Sequence, residues 1–186
     1  MDGERFDLLI LGGGPGGYPA AIRGAQLGLK VALVEKYRVG GTCLHWGCIP
    51  TKVILESAEI LRYAQEAKEY GVSVGDVSLD YGAVSQRREK VVSQHWRGTQ
   101  GLLKSNGVTV FTGEGSFTSP TSISIKLEDG GTTEVSATDV IIATGSVPKS
   151  LPGLTIDGER VINSDQAVTL PQLPKSAIII GAGAIG

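Results

Sequence analysis

Residues 6 to 17 read Phe6-Asp7-Leu8-Leu9-Ile10-Leu11-Gly12-Gly13-Gly14-Pro15-Gly16-Gly17. An apolar run that stops on glycine predicts a buried parallel strand entering a tight turn. Tyr18 to Leu27 then has helical character, with Gly28 as its stop. Pro19 falls early in that helix, where the N–H groups have no intrahelical acceptor to lose. Lys30 to Val34 predicts a second strand. Strand, turn, helix and strand within about 30 residues make one βαβ unit.

Inside this unit Gly12-x-Gly14-x-x-Gly17 has the spacing of a dinucleotide-binding turn. The first glycine permits the turn, the second lets a pyrophosphate approach the backbone, and the third lets the helix pack on the strand. Glu35 closes the second strand 18 residues after Gly17. A carboxylate there can accept hydrogen bonds from a ribose hydroxyl. A glycine turn alone is a weak signal; strand, helix and acidic residue in register make dinucleotide binding the expectation.

The chain has 186 residues, enough for one domain or slightly more. Its hydrophobic fraction of 41% is that of a globular protein able to bury a core. The 27 glycines are clustered, which suggests turns and backbone-to-ligand contacts. A net charge of −2 without a basic patch argues against a nucleic-acid role. No apolar run approaches the roughly 20 residues that span a bilayer. The first seven residues lack the basic and apolar regions of a signal peptide, so a cytoplasmic location and no membrane association are expected.

Further along, Thr51 to Tyr70 predicts a long helix beginning just after Pro50 and ending at Gly71. Gln86 to Lys104 predicts another, weakened by Gly98 and Gly101. Val108 to Phe111 reads as a short strand. Thr121 to Val135, with a turn at Asp129-Gly130-Gly131, reads as a small antiparallel hairpin or meander. Val140 to Ala143 reads as another buried strand ending at Thr144-Gly145. Residues 146 to 176, with four prolines, read as a connection. Ala177 to Ile180 then predicts a fresh strand, followed by a second glycine turn, Gly181-Ala182-Gly183-Ala184-Ile185-Gly186. A turn of this kind needs its helix, whose N–H groups and dipole hold phosphate. The sequence therefore reads as ending inside a second nucleotide-binding domain. The expected organisation is a cofactor domain over residues 1 to 150, a linker over 151 to 176, and the opening of a second domain over 177 to 186.

The two cysteines, Cys43 and Cys48, lie in Gly40-Gly41-Thr42-Cys43-Leu44-His45-Trp46-Gly47-Cys48-Ile49-Pro50-Thr51-Lys52. They can close a disulfide if the segment between them is turned or helical, since their Cα atoms must lie within about 7 Å. A cytosolic disulfide is usually catalytic. A zinc site with His45 would lack a further ligand cluster, since His95 is the only other histidine. A thioredoxin-type pair has two intervening residues, not four. From these residues alone, a redox pair and two inert buried thiols both stand.

Gly41-Thr42-Cys43-x4-Cys48-x-Pro50-x-Lys52 resembles the redox-active motif of the flavin-dependent pyridine nucleotide–disulfide oxidoreductases. Thr138-Asp139-Val140-Ile141-Ile142-Ala143-Thr144-Gly145 resembles that family's second flavin motif, and Gly181 to Gly186 sits where its NAD domain begins. The resemblance covers essentially the whole chain. Gly16-Gly17-Tyr18-x-Ala20-Ala21-Ile22-Arg23-x-Ala25-Gln26-Leu27-Gly28 is most similar to the dihydrolipoamide dehydrogenase branch. Glutathione and mercuric reductases share the cysteine motif; flavin transhydrogenases lack the paired cysteines. The chain departs from the pattern at His45-Trp46, where Asn-Val is more usual, and at Pro19, where Val is common.

The resemblance implies an α/β fold: a Rossmann-like FAD-binding domain with a parallel sheet, crossover helices and a small antiparallel β meander, then the start of a Rossmann-like NAD domain. It implies FAD and NAD as cofactors. Gly12, Gly14, Pro15, Gly17, Glu35, Lys36, Gly41, Thr42, Lys52, Gly115, Thr144, Gly145 and Ser146 would contact FAD, and Gly181, Gly183 and Gly186 would contact NAD. Cys48 would face the flavin, Cys43 would exchange with substrate, and Lys52 would stabilise charge near the flavin N5. A dithiol, dihydrolipoamide or a lipoyl domain, would attack the Cys43–Cys48 disulfide, and electrons would pass through FAD to NAD⁺. The family also implies a homodimer, association with a 2-oxo acid dehydrogenase complex, and an acid–base pair in a C-terminal domain this chain does not contain.

Overall fold

The computed structural model describes residues 4–186. Five strands carry one half of the architecture: β1 Glu4–Leu11, β2 Val31–Glu35, β3 Thr109–Ser119, β4 Ser122–Leu127 and β5 Thr132–Ile142. β1 pairs in parallel with both β2 and β5, and β2 pairs in parallel with β3. β4 pairs antiparallel with β3 and with β5, which closes the sheet into a barrel. The predicted short strand, meander and second short strand are thus continuous. β3 leaves the parallel sheet after Thr112 and continues into the meander, and β5 makes the return journey.

The apolar run of β1 has a use on each face. Phe6 and Leu9 join Ala32, Val34, Ile123, Ile125, Val135 and Ala137 inside the barrel. Leu8 and Ile10 join Val31, Leu33, Val39, Leu103 and Val108 beneath the helices. A strand buried on both faces reads as continuous rather than alternating hydrophobicity, which is the pattern seen. Helix α1, Tyr18–Gln26, lays Ala21 and Gly24 against the second cluster and ends with Gly28 at φ +88. Pro19 takes its first turn, as expected.

The short helix α2, Gly41–His45, follows the turn after β2. Helix α3, Cys48–Glu66, begins two residues before Pro50, which sits buried in its first turn. Proline loses nothing there, because the first N–H groups have no intrahelical acceptor, so it does not mark the start. A 3-10 turn, Ala67–Tyr70, completes the predicted segment, and Gly71 stops it in the left-handed region at φ +74. Helix α4, Tyr81–Ser105, starts five residues earlier than the pattern suggested. Asp80 supplies the missed signal: its Oδ1 accepts the Ala83 N–H over 3.0 Å. A four-residue helix, α5 Ser164–Ala167, lies within the predicted connection, held by an Asn163/Gln166 capping box.

The chain divides into two compact units. One comprises the residues up to His45 with Ser93–Val147, and contains the barrel, α1, α2 and the second half of α4. The other comprises Trp46–Val92 with Pro148–Gly186. In that second unit Arg88 is buried and donates to the Val168 carbonyl at 2.7 Å and to Glu89 Oε1 at 3.0 Å, while the Tyr81 hydroxyl donates to the Leu170 carbonyl. These bonds tie the segment after α5 to α4.

Two expected strands differ. Residues 177–180 form no strand, and Ile178, Ile179 and Ile180 are exposed. Val140 to Ile142 do lie in β5 but are only partly covered, with Ile142 66% exposed. Strand hydrogen bonds and burial come from neighbours, and the described residues provide a ladder partner to β5 on the β1 side and none to residues 177–180.

Candidate cofactor turn and cysteine helix

The first glycine turn is a closed backbone loop. Gly12 donates its N–H to the Val34 carbonyl at 2.8 Å, and Gly17 and Tyr18 donate to the Gly14 carbonyl at 2.8 and 3.0 Å. Gly12 has φ +107, open only to glycine at low cost, and any β-carbon on it would strike the Ala143 carbonyl. A β-carbon on Gly17 would strike the Gly12 carbonyl. Ala143 in turn donates its N–H to the Leu11 carbonyl at 2.8 Å. The turn is thus fitted against the end of β5, immediately before Thr144, Gly145 and Ser146, which are exposed.

Glu35 locks this turn. Its Oε2 accepts the Gly13 N–H at 2.6 Å and its Oε1 accepts the Tyr37 N–H at 2.8 Å. A carboxylate has roughly four lone-pair sites, so two N–H donors leave it able to accept from ribose hydroxyls as well. Glu35 also borders a cavity of about 690 Å³ shared with Arg38, Trp96, Gln100, Lys104 and Thr112. That volume falls within the range of small-molecule and cofactor sites. Helix α1 has no side-chain cap and no acidic residue in its first turn, so the positive end of its dipole is uncompensated. These features fit a bound dinucleotide: a backbone cradle, an uncompensated helix N-terminus and a carboxylate with spare acceptor capacity.

Gly40 and Gly41 bring the cysteine segment to the same turn. Gly40 donates to the Gly13 carbonyl at 2.8 Å, and a β-carbon on Gly41 would lie 2.6 Å from the Gly14 Cα and 3.5 Å from Pro15 Cδ. Two backbones in such contact require glycine. Thr42 and Cys43 follow on α2, the first exposed and the second half-buried. Cys48 opens α3 and is exposed, and the N-cap Gly47 contributes no side chain. Lys52 stands one turn further along, on the same helix face as Cys48, and is exposed. No acidic residue occupies the first turn of α3, and the first carboxylate along the helix, Glu56, stands one turn beyond Lys52.

Lys36 pairs with Glu114 at 2.8 Å, and its ammonium lies 5.5 Å from the centre of the Tyr37 ring. The hydrogen bond to Glu114 raises the Lys36 pKa, and the same bond lowers that of Glu114. Sequence reasoning missed Glu114, whose partner lies 78 positions away. Gly115 is placed differently from its neighbour. A β-carbon on it would lie 2.6 Å from Leu11 Cδ1, 3.1 Å from Ile123 Cγ2 and 3.2 Å from Val34 Cγ1, inside the barrel.

The second glycine turn has the backbone form of the first. Gly181 has φ +124, and a β-carbon on Gly186 would strike the Gly181 carbonyl, as one on Gly17 would strike that of Gly12. Gly183 is exposed between them. Among the described residues no His, Cys, Asp and Glu cluster could hold a metal ion, and no helix is long and apolar enough to cross a membrane.

The model of the pyridine nucleotide-disulphide oxidoreductase family matches residues 6–186. A dihydrolipoyl dehydrogenase of Bacillus subtilis is 49% identical over 98% of this chain, and a mitochondrial dihydrolipoyl dehydrogenase of Pisum sativum is 46% identical over 98%. The solved structure of LpdA from Mycobacterium tuberculosis superposes with a TM-score of 0.80 at 28% identity, covering 92% of this chain and 38% of that one. The chain spans 40% and 37% of the length of these two curated relatives. With the family model matched from β1 to the second glycine turn, the chain belongs to the pyridine nucleotide-disulphide oxidoreductases, whose dihydrolipoyl dehydrogenase branch uses FAD and NAD.

Proposed function

We propose that this chain is the FAD-binding part of a dihydrolipoamide dehydrogenase. The observation that carries the reading is the Gly12–Gly17 turn, closed by Glu35 and joined through Gly40 to the cysteine segment. The turn's backbone and the α1 N-terminus hold the pyrophosphate, and Glu35 accepts from the ribose. Lys36, Thr42, Gly115, Thr144, Gly145 and Ser146 complete the FAD contacts. Gly181, Gly183 and Gly186 begin the NAD site.

FAD, when bound, accepts two electrons from a thiol pair and passes them on as hydride to NAD⁺. The chain's own residues handle the sulfur chemistry. A thiolate of the dithiol substrate attacks Cys43 of the Cys43–Cys48 disulfide; a mixed disulfide forms and Cys48 leaves as a thiolate. The second substrate thiol then displaces Cys43, which releases the oxidised substrate and leaves both cysteines reduced. Lys52 offers positive charge one helical turn from Cys48. Dihydrolipoamide, free or on a lipoyl domain, is the proposed substrate, and a homodimer serving a 2-oxo acid dehydrogenase complex is the proposed assembly. The proposed domain limits are residues 1 to 150, 151 to 176 and 177 to 186, and the proposed location is cytoplasmic. The chain's share of its relatives' length supports a second reading for the isolated polypeptide: FAD binding without turnover.

An absorption spectrum of purified chain supplied with FAD, before and after dithiothreitol, tests this. Retained flavin absorbing near about 450 nm, with a long-wavelength shoulder after reduction, is the expected result. Failure to retain flavin, together with cysteines that never form an intramolecular disulfide, would overturn it. Flavin retention without lipoamide-dependent NADH formation would select the second reading.

A further inference from the structure

The short helix α2 carries Cys43 and is anchored at both ends. At its start, Gly40 donates to the Gly13 carbonyl at 2.8 Å and Gly41 packs on Gly14. At its end the buried His45 places Nε2 3.0 Å from the Val39 carbonyl. A carbonyl only accepts, so this bond assigns the hydrogen to Nε2. The imidazole also meets the Trp96 ring edge-to-face, with centroids 6.3 Å apart and planes at 72°. The Arg38 guanidinium lies 4.8 Å from the centre of the same indole. Trp96 Nε1 is buried and has no hydrogen-bond partner among the described residues, so the indole engages both neighbours through its ring. Arg38, Trp96 and His45 form a stack that spans the loop before α2, helix α4 and the last residue of α2.

His45 stands two residues from Cys43. We infer that His45 is a positioning residue for Cys43. Its hydrogen bond to Val39 closes the end of α2, and its contact with Trp96 holds that closure against α4. The half-buried Cys43 is thereby kept at one fixed exposure. This inference deepens the redox reading of Cys43 and takes its functional meaning from it.

Iodoacetamide alkylation of the reduced chain, followed site by site by peptide mass spectrometry, tests the inference. Cys48, on α3, serves as reference within each molecule. His45→Phe keeps an aromatic ring against Trp96 and removes the donor; Trp96→Leu keeps apolar bulk and removes the ring contact. Each is expected to speed Cys43 alkylation roughly two- to tenfold, the factor matching one lost neutral hydrogen bond in the first and one lost aromatic pair in the second, with Cys48 unchanged. His45→Leu, which removes both the donor and the ring, is expected to react faster at Cys43 than His45→Gln, whose amide N–H can still donate to the Val39 carbonyl. Cys43 rates within twofold of the parent in both His45→Phe and Trp96→Leu would overturn the inference. So would Cys48 accelerating in step with Cys43, which reports general loosening. Failure of the redox reading shows elsewhere: the unsubstituted chain would form no Cys43–Cys48 disulfide on oxidation, whatever the alkylation rates of the variants.

Discussion

Gly13 donates its backbone N–H to Glu35 Oε2 over 2.6 Å, joining the middle of the glycine turn to the end of the neighbouring strand, 22 positions later. The carboxylate therefore has a structural partner as well as the ribose it is proposed to meet. Glu35→Gln keeps an acceptor but removes the charge, and its amide brings two donors that the Gly13 and Tyr37 N–H groups cannot satisfy. FAD affinity, read by flavin fluorescence titration, is expected to fall at least tenfold, in line with the ~1.5 kcal/mol or more of a hydrogen bond to a charged group. Glu35→Ala is expected also to lower stability by about 1–3 kcal/mol, the cost of leaving the Gly13 N–H unpaired away from water; the exposed Tyr37 N–H adds little. Urea denaturation without flavin separates the two effects.

Gly115 should behave as a core residue in a stability assay. Its missing side chain faces Leu11, Ile123 and Val34, with Ile123 completely buried. Gly115→Ala is expected to destabilise the apoprotein by about 1–3 kcal/mol through overpacking. Adding Leu11→Ala, which opens space at the nearest contact, should return part of that loss. A single variant as stable as the parent in a urea melt would show that the barrel can yield there.

Asp157 gives the second unit a pH dependence. Its Oδ1 accepts the N–H groups of Glu159, Arg160 and Val161 at 2.8 to 2.9 Å, and these bonds lower its pKa from the usual 3.8, with Glu159 the largest cause. A folded-state value below the unfolded one gives stabilisation that is fully present above the unfolded value. It is lost as the pH falls from there through the folded value. Protection of the three amides against hydrogen exchange should therefore be flat near neutrality and decline below about pH 4, after correction for intrinsic exchange. Asp157→Ala should raise their exchange roughly tenfold at neutral pH.

The Lys36–Glu114 pair is exposed on both sides. Lys36→Met is expected to move Tm by less than about 2 °C at neutral pH, because exposed ion pairs are screened and weakly coupled. The lowered Glu114 and raised Lys36 values put the pair's small contribution between their two unfolded values, fading at acid and alkaline extremes. A larger effect on FAD titration than on Tm would place Lys36 at the cofactor.

The glycine turn, α1 and the first two strands were legible because their signals are local: an apolar run, glycine spacing and a stop at Gly28. The cysteine segment was legible from its spacing and its resemblance. What the chain hid is long-range. Nothing near Gly13 announces that its N–H will meet Glu35, and nothing near Lys36 announces Glu114. The continuity of β3 and β5 was also hidden, since each strand changes partners midway and the apolar pattern breaks where the partner changes. Pro50 misled by a physical coincidence: the residue that terminates helices is harmless in a first turn. The Ile178 to Ile180 run looked like a strand because composition reports preference for burial, not the presence of a neighbour.

The pairing of β1 with β5 has a consequence for synthesis. Leu11 lies beside Ile142, and the Gly12 turn rests on the carbonyl of Ala143, so this turn is finished by residues translated long after it. On the ribosome Gly12 to Gly17 must wait, with β1 flanked only by β2, until the end of β5 emerges. Such distant pairing raises the contact order and slows folding. Flavin capture during translation should accordingly appear late and in one step, once the segment through Ser146 has cleared the exit tunnel.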